Sequence, residues 1–330
     1  MVRIANKKID DLILISKKDY SNTIEKKVRP YLESIYEKGF MQSDYGHEIY
    51  YEHFNILNPK GCVVILHGFT EGIIKYSEVI YTFIMQGYEV FMIEHFGHGS
   101  STRNKEVIDD WSKVSVDDFE IYTDDVIKFT KTIVKVNNNS SNLILFGHSM
   151  GGGIATRVIE KEPNLFTKCV LSSPMIGVNM GAIPAIVGRT LSSIMVKIGK
   201  KYDYVFGHHK FTDDGAFEKS PDKSRERYNY FEKIKRENDR YKSNGATWAW
   251  VHSSLIATSE MIKQANKVII PTLLLQAEVD NSVRKDSQVK FASLVPSCDI
   301  VEVRDSKHEI MFSDDSVNRV FWSEIFAFLS

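Results

Sequence analysis

Gly147-His148-Ser149-Met150-Gly151 sets a serine between two glycines, each two residues away. That spacing suits a nucleophile on a sharp strand-to-helix turn, where a side chain at either glycine position would strike neighbouring backbone. A serine hydroxyl is a weak nucleophile at neutral pH, so it needs a histidine base and a carboxylate to orient that base. On a strand-turn-helix scaffold the three follow in the order Ser, Asp or Glu, His. After residue 265 the chain has one histidine, His308, in Ser306-Lys307-His308-Glu309-Ile310. The acid is expected in Gln276-Ala277-Glu278-Val279-Asp280-Asn281, where Asp280 lies further into the loop and Glu278 remains its rival. A tetrahedral intermediate also needs two preorganised N–H donors. Met150, directly after the serine, supplies one, and the Phe69 amide of His67-Gly68-Phe69 supplies the second. His67 precedes the serine, so it is expected to hold structure and not to act as the base.

These residues need a scaffold that ends several strands along one edge. Cys62-Val63-Val64-Ile65-Leu66, Val90-Phe91-Met92-Ile93, Leu143-Ile144-Leu145-Phe146, Cys169-Val170-Leu171 and Thr272-Leu273-Leu274-Leu275 are short all-apolar runs, each ending at turn or polar residues. Such runs read as strands buried on both faces of a mainly parallel sheet. Residues 47–56 suggest an earlier strand, Ile300-Val301-Glu302-Val303 a later one, and 115–135 an amphipathic helix. The sequence therefore predicts an α/β fold with helices flanking the sheet. Nearly a hundred residues from Pro174 to Pro271 lack a comparable strand, too many for a connection. This interval is expected to be a helical cap over residues 175–265, inserted between core segments 39–174 and 266–330. Residues 1–38 form a polar, Lys-rich extension. The cap begins apolar and becomes charged and aromatic, so Met175, Ile176 and Trp248 are expected along the substrate's path.

Composition narrows the function. The chain has 330 residues with 42 Lys+Arg against 43 Asp+Glu, a formal charge of −1. Without a basic excess, a protein that binds nucleic acid by phosphate neutralisation is not expected. Cys62, Cys169 and Cys298 are an odd number with no metal-ligand spacing, which suits buried thiols in a reducing compartment. The apolar run Leu12-Ile13-Leu14-Ile15 follows Asp10 and Asp11, unlike a secretory leader. The stretch from Pro174 to Gly188 is too short and too broken to span a bilayer.

Other conspicuous residues have plainer readings. His95 and His98 have no third ligand at metal-binding spacing. His208-His209 and the Trp248/Trp250 pair lie in the expected cap, where they could contact substrate, although such residues more often pack the cap. The Arg/Lys-rich run 223–242 is balanced by Glu226, Glu232, Glu237 and Asp239, as on a solvated helix face.

Together, HGF at 67–69, GHG at 97–99, GHSMGG at 147–152, QAEVDNSV at 276–283 and SKHEI at 306–310 resemble the α/β-hydrolase fold. Within it the chain is similar to the lysophospholipase L2 and monoacylglycerol lipase group, catalogued with serine aminopeptidase-like hydrolases. IKYSEV at 74–79, SSPMIGV at 172–178, YVFG at 204–207, SRERY at 224–228 and GATWAWV at 245–251 carry the likeness into the cap. Glu94-His95-Phe96 departs from the family's usual Asp-His-Arg, a difference expected to alter local packing only. The resemblance implies a cap inserted after the sixth strand and hydrolysis of one acyl ester of a lysophospholipid or monoacylglycerol. Ser149 would attack, His308 move the proton, Asp280 orient it, and the Phe69 and Met150 amides hold the oxyanion. No metal and no cofactor is implied, and the partner is a small-molecule lipid ester. The resemblance also implies a cytoplasmic location, with peripheral contact at the inner face of the membrane open through the apolar cap segment. The oligomeric state is left open. A peptidase or amidase on the same scaffold is the second reading, and a non-catalytic binding protein the third.

Overall fold

The computed structural model describes residues 2–181 and 183–330. Its strands are β1 (Arg3–Ile4), β2 (Tyr36–Gln42), β3 (Glu48–Phe54), β4 (Gly61–Leu66), β5 (Tyr88–Ile93), β6 (Lys113–Val114), β7 (Leu143–His148), β8 (Lys168–Ser172), β9 (Gly245–Ala246), β10 (Thr272–Ala277) and β11 (Cys298–Val303). Nine of these form one sheet in the order β1-β11-β10-β8-β7-β4-β5-β3-β2. All pairs from β1 to β5 are parallel, and β3 and β2 close the other edge antiparallel.

The apolar runs read from the sequence are explained by period-two alternation between two cores. Cys62, Val64 and Leu66 of β4 enter one cluster, and Val63 and Ile65 enter the other. Phe91 and Ile93 of β5 likewise oppose Val90 and Met92, and Leu143 and Leu145 of β7 oppose Ile144 and Phe146. A strand with apolar residues on both faces belongs between two helical layers, which is where these lie. The layers contain α1 (residues 20–33), α2 (Ser77–Met85), α3 (Glu120–Phe129), α4 (Met150–Lys161), α5 (Ala185–Lys197), α6 (Arg225–Glu237), α7 (Trp248–Gln264), α8 (Lys285–Leu294) and α9 (Asp315–Leu329).

Counting from β2, the sixth strand of the main sheet is β8, and the long insertion follows it. The insertion holds α5, α6 and α7 and is tied back to the body at several points. Its strand β9 pairs in parallel with β6, and an isolated bridge joins Val178 to Val283. Arg227 of α6 forms a buried ion pair with Glu78 of α2 at 2.7 Å and donates to the Ile15 carbonyl at 2.8 Å.

The opening residues are built into the body of the protein. Arg3 and Ile4 pair with β11, while Leu12, Ile15, Tyr20, Ile24, Val28 and Leu32 are buried in the core that receives α2 and α9. Position 38 falls inside β2, so no break in structure separates this segment from the sheet. Sequence reasoning missed it because, apart from the short run at 12–15, its apolar residues are scattered among charged and polar ones.

Candidate active site

Strand β7 runs straight into α4 through Ser149, whose φ of 52° and ψ of −117° lie in strained territory for a residue with a Cβ. The glycines make the turn possible. A Cβ on Gly147 would lie 2.5 Å from the Gly151 carbonyl oxygen, and one on Gly151 only 2.2 Å from that of Leu66. The Ser149 amide donates to the Ser172 carbonyl at 3.0 Å, and its own carbonyl accepts from Gly153 and Met175 at 3.0 and 2.8 Å. The side chain is thus held beyond the ends of β4, β7 and β8.

His308 lies in the loop after β11 and is buried, not an exposed loop residue. Its Nε2 is 2.8 Å from Ser149 Oγ, and its Nδ1 is 2.7 Å from Asp280 Oδ2. Asp280 Oδ1 accepts from the amides of Ser282 and Val283 at 2.8 and 3.0 Å. Burial alone would raise the Asp280 pKa. The hydrogen bond and charge of His308, with the two amides, outweigh it and hold the carboxylate below its usual range. Glu278 turns away and accepts from the Asp305 amide at 2.7 Å. Among the two candidate acids, Asp280 faces the imidazole.

Phe69 lines the same cavity as Ser149 and His308, and Met150 directly follows the serine. Met150 is the first residue of α4, where helical N–H groups have no intrahelical acceptor. The 67–70 turn is fixed by its neighbours. Gly68 N–H donates to Glu71 Oε2 at 2.6 Å, and the Phe69 ring packs on Trp250 with centroids 4.4 Å apart. His67 is a structural residue in this geometry: Nε2 accepts from the His95 amide at 3.0 Å and Nδ1 donates to the Gly68 carbonyl at 2.8 Å. Burial pushes its pKa down to about 4. His98 is similarly used up, with Nδ1 on the Phe96 carbonyl and Nε2 accepting from Thr70. Glu94, the departure from the family pattern, is fully buried, accepts from the Ile73 and Ser100 amides, and is pushed up to about 7 by burial.

The residues expected along the substrate path lie elsewhere. Met175 and Trp248 are packed in the core, and Ile176, also buried, borders a separate cleft with α5 and α8. An apolar stretch after a strand was read as a channel, whereas Met175 lies against Gly153 of α4 and Val178 bridges to Val283. The cavity of about 260 Å³ beside Ser149 and His308 is lined about equally by polar and apolar surface, and its walls include Glu71, Lys75, His148, Asp222, Glu309 and Tyr228. Lys75 bridges Glu71 and Glu309, 3.1 Å from the latter. Burial opposes its charge, but Glu309, Glu71 and Asp222 hold its pKa above the usual value. Burial likewise opposes the Glu309 carboxylate, but Lys75 and His148 keep its pKa well below the ordinary range. Glu71, His148 and Glu309 could together offer three ligand atoms to a metal ion. The Lys75 ammonium already fills that position between the two carboxylates. Sequence reasoning passed over this network. The signal was present in Glu71 and Glu309, charged residues within a few positions of the 67–70 turn and of His308.

A doubly covered parallel sheet with a serine, a histidine and an aspartate aligned at its carboxyl edge defines an α/β-hydrolase of the serine type. Residues 57–315 match the family model described as serine aminopeptidase, S33, and the chain belongs to that family. The probable lysophospholipase L2 of Haemophilus influenzae is 29% identical over 280 residues, 84% of this chain and 87% of its own. Lysophospholipase L2 of Escherichia coli K12 is 27% identical over 276 residues, 78% of this chain and 77% of its own. The mouse monoglyceride lipase is 32% identical over 123 residues, 37% of each chain. Among solved structures, a soluble variant of the Saccharomyces cerevisiae monoglyceride lipase superimposes with a TM-score of 0.68 at 18% identity, covering 89% of this chain and 96% of its own.

Proposed function

We propose that the protein cleaves the single acyl ester of a lysophospholipid or monoacylglycerol through an acyl-enzyme intermediate. The observation that carries this reading is the position of the His308 ring, within 2.8 Å of the Ser149 hydroxyl and 2.7 Å of the Asp280 carboxylate. Ser149 Oγ attacks the ester carbonyl as its proton passes to His308 Nε2, and Asp280 stabilises the imidazolium. The Phe69 and Met150 amides take the oxyanion. On collapse the bond to the glycerol oxygen breaks, and that oxygen leaves with the proton from His308. Water, deprotonated by the same histidine, then adds to the acyl-serine and releases the fatty acid. Full-length relatives named lysophospholipase L2 support the lipid substrate.

The 175–265 insertion serves in this reading as a cap and as a contact for the lipid surface. Ile183, Ile186, Val187, Ile194 and Ile198 are exposed on and around α5. Arg189, Lys197, Lys200 and Lys201 accompany them, with no acidic residue from 174 to 202. An apolar helix face with a basic border suits peripheral binding to an anionic bilayer. No helix among the described residues is long and apolar enough to cross one. Free thiols at Cys62, Cys169 and Cys298 support a cytoplasmic site.

The test compares a lysophospholipid, a monoacylglycerol, a short-chain aryl ester and an aminoacyl anilide, with Ser149→Ala as the blank. Preference for a long-chain lipid ester, absent in the variant, is expected. Hydrolysis of the anilide alone, or turnover that persists in Ser149→Ala, overturns the reading.

A further inference from the structure

The cavity beside Ser149 contains a carboxyl group with no partner. Asp222, three residues before the start of α6, is 6% exposed. Its backbone amide donates to Ser220 Oγ at 3.3 Å, but its carboxyl makes no hydrogen bond or ion pair among the described residues. The other charges around it are already matched. Lys75 is shared by Glu71 and Glu309, Lys235 pairs with Glu232 at 3.4 Å, and His148 faces Glu309 at 3.3 Å. His148 also meets the Ser172 carbonyl through Nδ1 at 3.1 Å. Burial opposes a charged His148 ring, and Glu309 outweighs it to raise the His148 pKa. Four carboxyls, Glu71, Asp222, Glu232 and Glu309, share the cavity with Lys75, Lys235 and His148. Asp222 is the carboxyl left without a partner, in a cavity that also exposes Tyr228 and Phe231.

We propose that Asp222 and the Tyr228 ring form a subsite for a substrate ammonium group, next to the acyl-transfer centre. A buried carboxylate is costly without a counter-charge, and a bound ammonium supplies one. The Tyr228 face adds attraction for the same cation, whereas the Phe231 ring is already faced by Lys75 and Lys235. A neutral glycerol head leaves the acid unpaired, so the favoured ester carries an amine-bearing head group. Burial pushes the Asp222 carboxyl up to about 7 against the pull of Lys75, so an arriving cation also draws its proton off. This inference rests on the reading of Ser149 as an esterase nucleophile.

The experiment uses the full chain and two lipids that differ only in the ammonium: lysophosphatidylethanolamine and its N-acetyl derivative. The readout is the ratio of kcat/KM between them, measured within each variant. Wild-type protein is expected to favour the free amine by roughly ten- to a hundredfold, as for a hydrogen bond to a charged group. In Asp222→Asn the ratio is expected to fall toward one, with the loss in KM. Equal rates on both lipids, or a preference that survives Asp222→Asn, overturns the subsite while the esterase reading stands. Should the variant not fold, inhibition of wild-type protein by glycerophosphoethanolamine and its N-acetyl form decides, and equal inhibition is the overturning result. If lipid esters are inert and an aminoacyl anilide is cleaved in an Asp222-dependent way, the subsite holds and the esterase reading falls.

Discussion

The Gly151 backbone lies so close to the Leu66 carbonyl that a Cβ on the glycine would stand 2.2 Å from its oxygen. This contact sets the first turn of the helix after Ser149 against the strand that ends at the oxyanion turn, and so fixes the distance between nucleophile and Phe69. Both atoms are backbone, so neither can swing aside. Gly151→Ala should destabilise the fold by about 1–3 kcal/mol through overpacking. It should also depress turnover, since the amides of Phe69 and Met150 would be forced apart. Urea unfolding and an aryl-ester assay measure the two effects, and an unchanged urea midpoint would sink the argument.

Ser149 holds its positive φ at a cost of about 1–3 kcal/mol. Ser149→Ala keeps that strain, whereas Ser149→Gly relieves it and gives back part of the gain as unfolded-chain entropy. Both variants are expected to lose at least about four orders of magnitude in activity. Ser149→Gly should nevertheless be more stable than Ser149→Ala by about 1 kcal/mol, as read by thermal or urea denaturation. The reverse order would mean that the elbow is unstrained.

Asp280 and Glu278 are two positions apart and have opposite fates. Asp280→Asn keeps an oxygen for the Ser282 and Val283 amides but presents the wrong hydrogen-bonding group to His308, so kcat should fall by about 10⁴. Glu278→Gln keeps an oxygen for the Asp305 amide at the surface and should change kcat less than twofold. Equal losses in the two variants would remove Asp280 from the role assigned to it.

Much of this site was legible in the sequence because each part depends on local chemistry. The glycines around Ser149 report a steric need, and the apolar runs report strands covered on both faces. The order Ser, Asp, His follows from where those strands end. What stayed hidden depends on long-range packing. Met175 and Trp248 look like a lipid channel in a linear reading, yet both are packed in the core. The polar lining of the cavity comes from residues as far apart as Glu71, Asp222 and Glu309, and nothing in their spacing announces that they meet. The N-terminal segment reads as a polar tail because its buried residues are few per turn, and their partners lie on α2 and α9.

His67 gives a pH-dependent signature. Its folded pKa of about 4 lies below the unfolded value because burial disfavours the charged ring. The unfolded chain therefore takes up a proton that the folded one refuses. Stability from this group is full above about pH 6.5 and is lost as pH falls toward 4. His67→Asn has no such proton. The stability gap between wild type and His67→Asn should narrow by about 2 kcal/mol between pH 7 and pH 5. Urea titrations at the two pH values measure it, and a constant gap would show that His67 is not held neutral.

Arg227 and Glu78 are each 1% exposed and meet through two hydrogen bonds, Nε and Nη2 at 2.8 and 2.7 Å. The same guanidinium donates to the Ile15 and Ser313 carbonyls, so it joins the cap, the N-terminal segment and the turn before α9. Removing the arginine strands a buried carboxylate and leaves two carbonyls unpaired. Arg227→Met should cost about 3–5 kcal/mol. Replacing both residues, Arg227→Met with Glu78→Leu, removes the stranded charge and should recover a large part of that loss, because the desolvation cost of the pair disappears with it. The two carbonyls remain, so recovery should fall short of wild type by about 1–3 kcal/mol. A double variant no more stable than Arg227→Met alone would locate the energy in those carbonyl contacts and not in the ion pair. In that case the cap is held chiefly by the backbone of the N-terminal segment, and its attachment should be insensitive to salt.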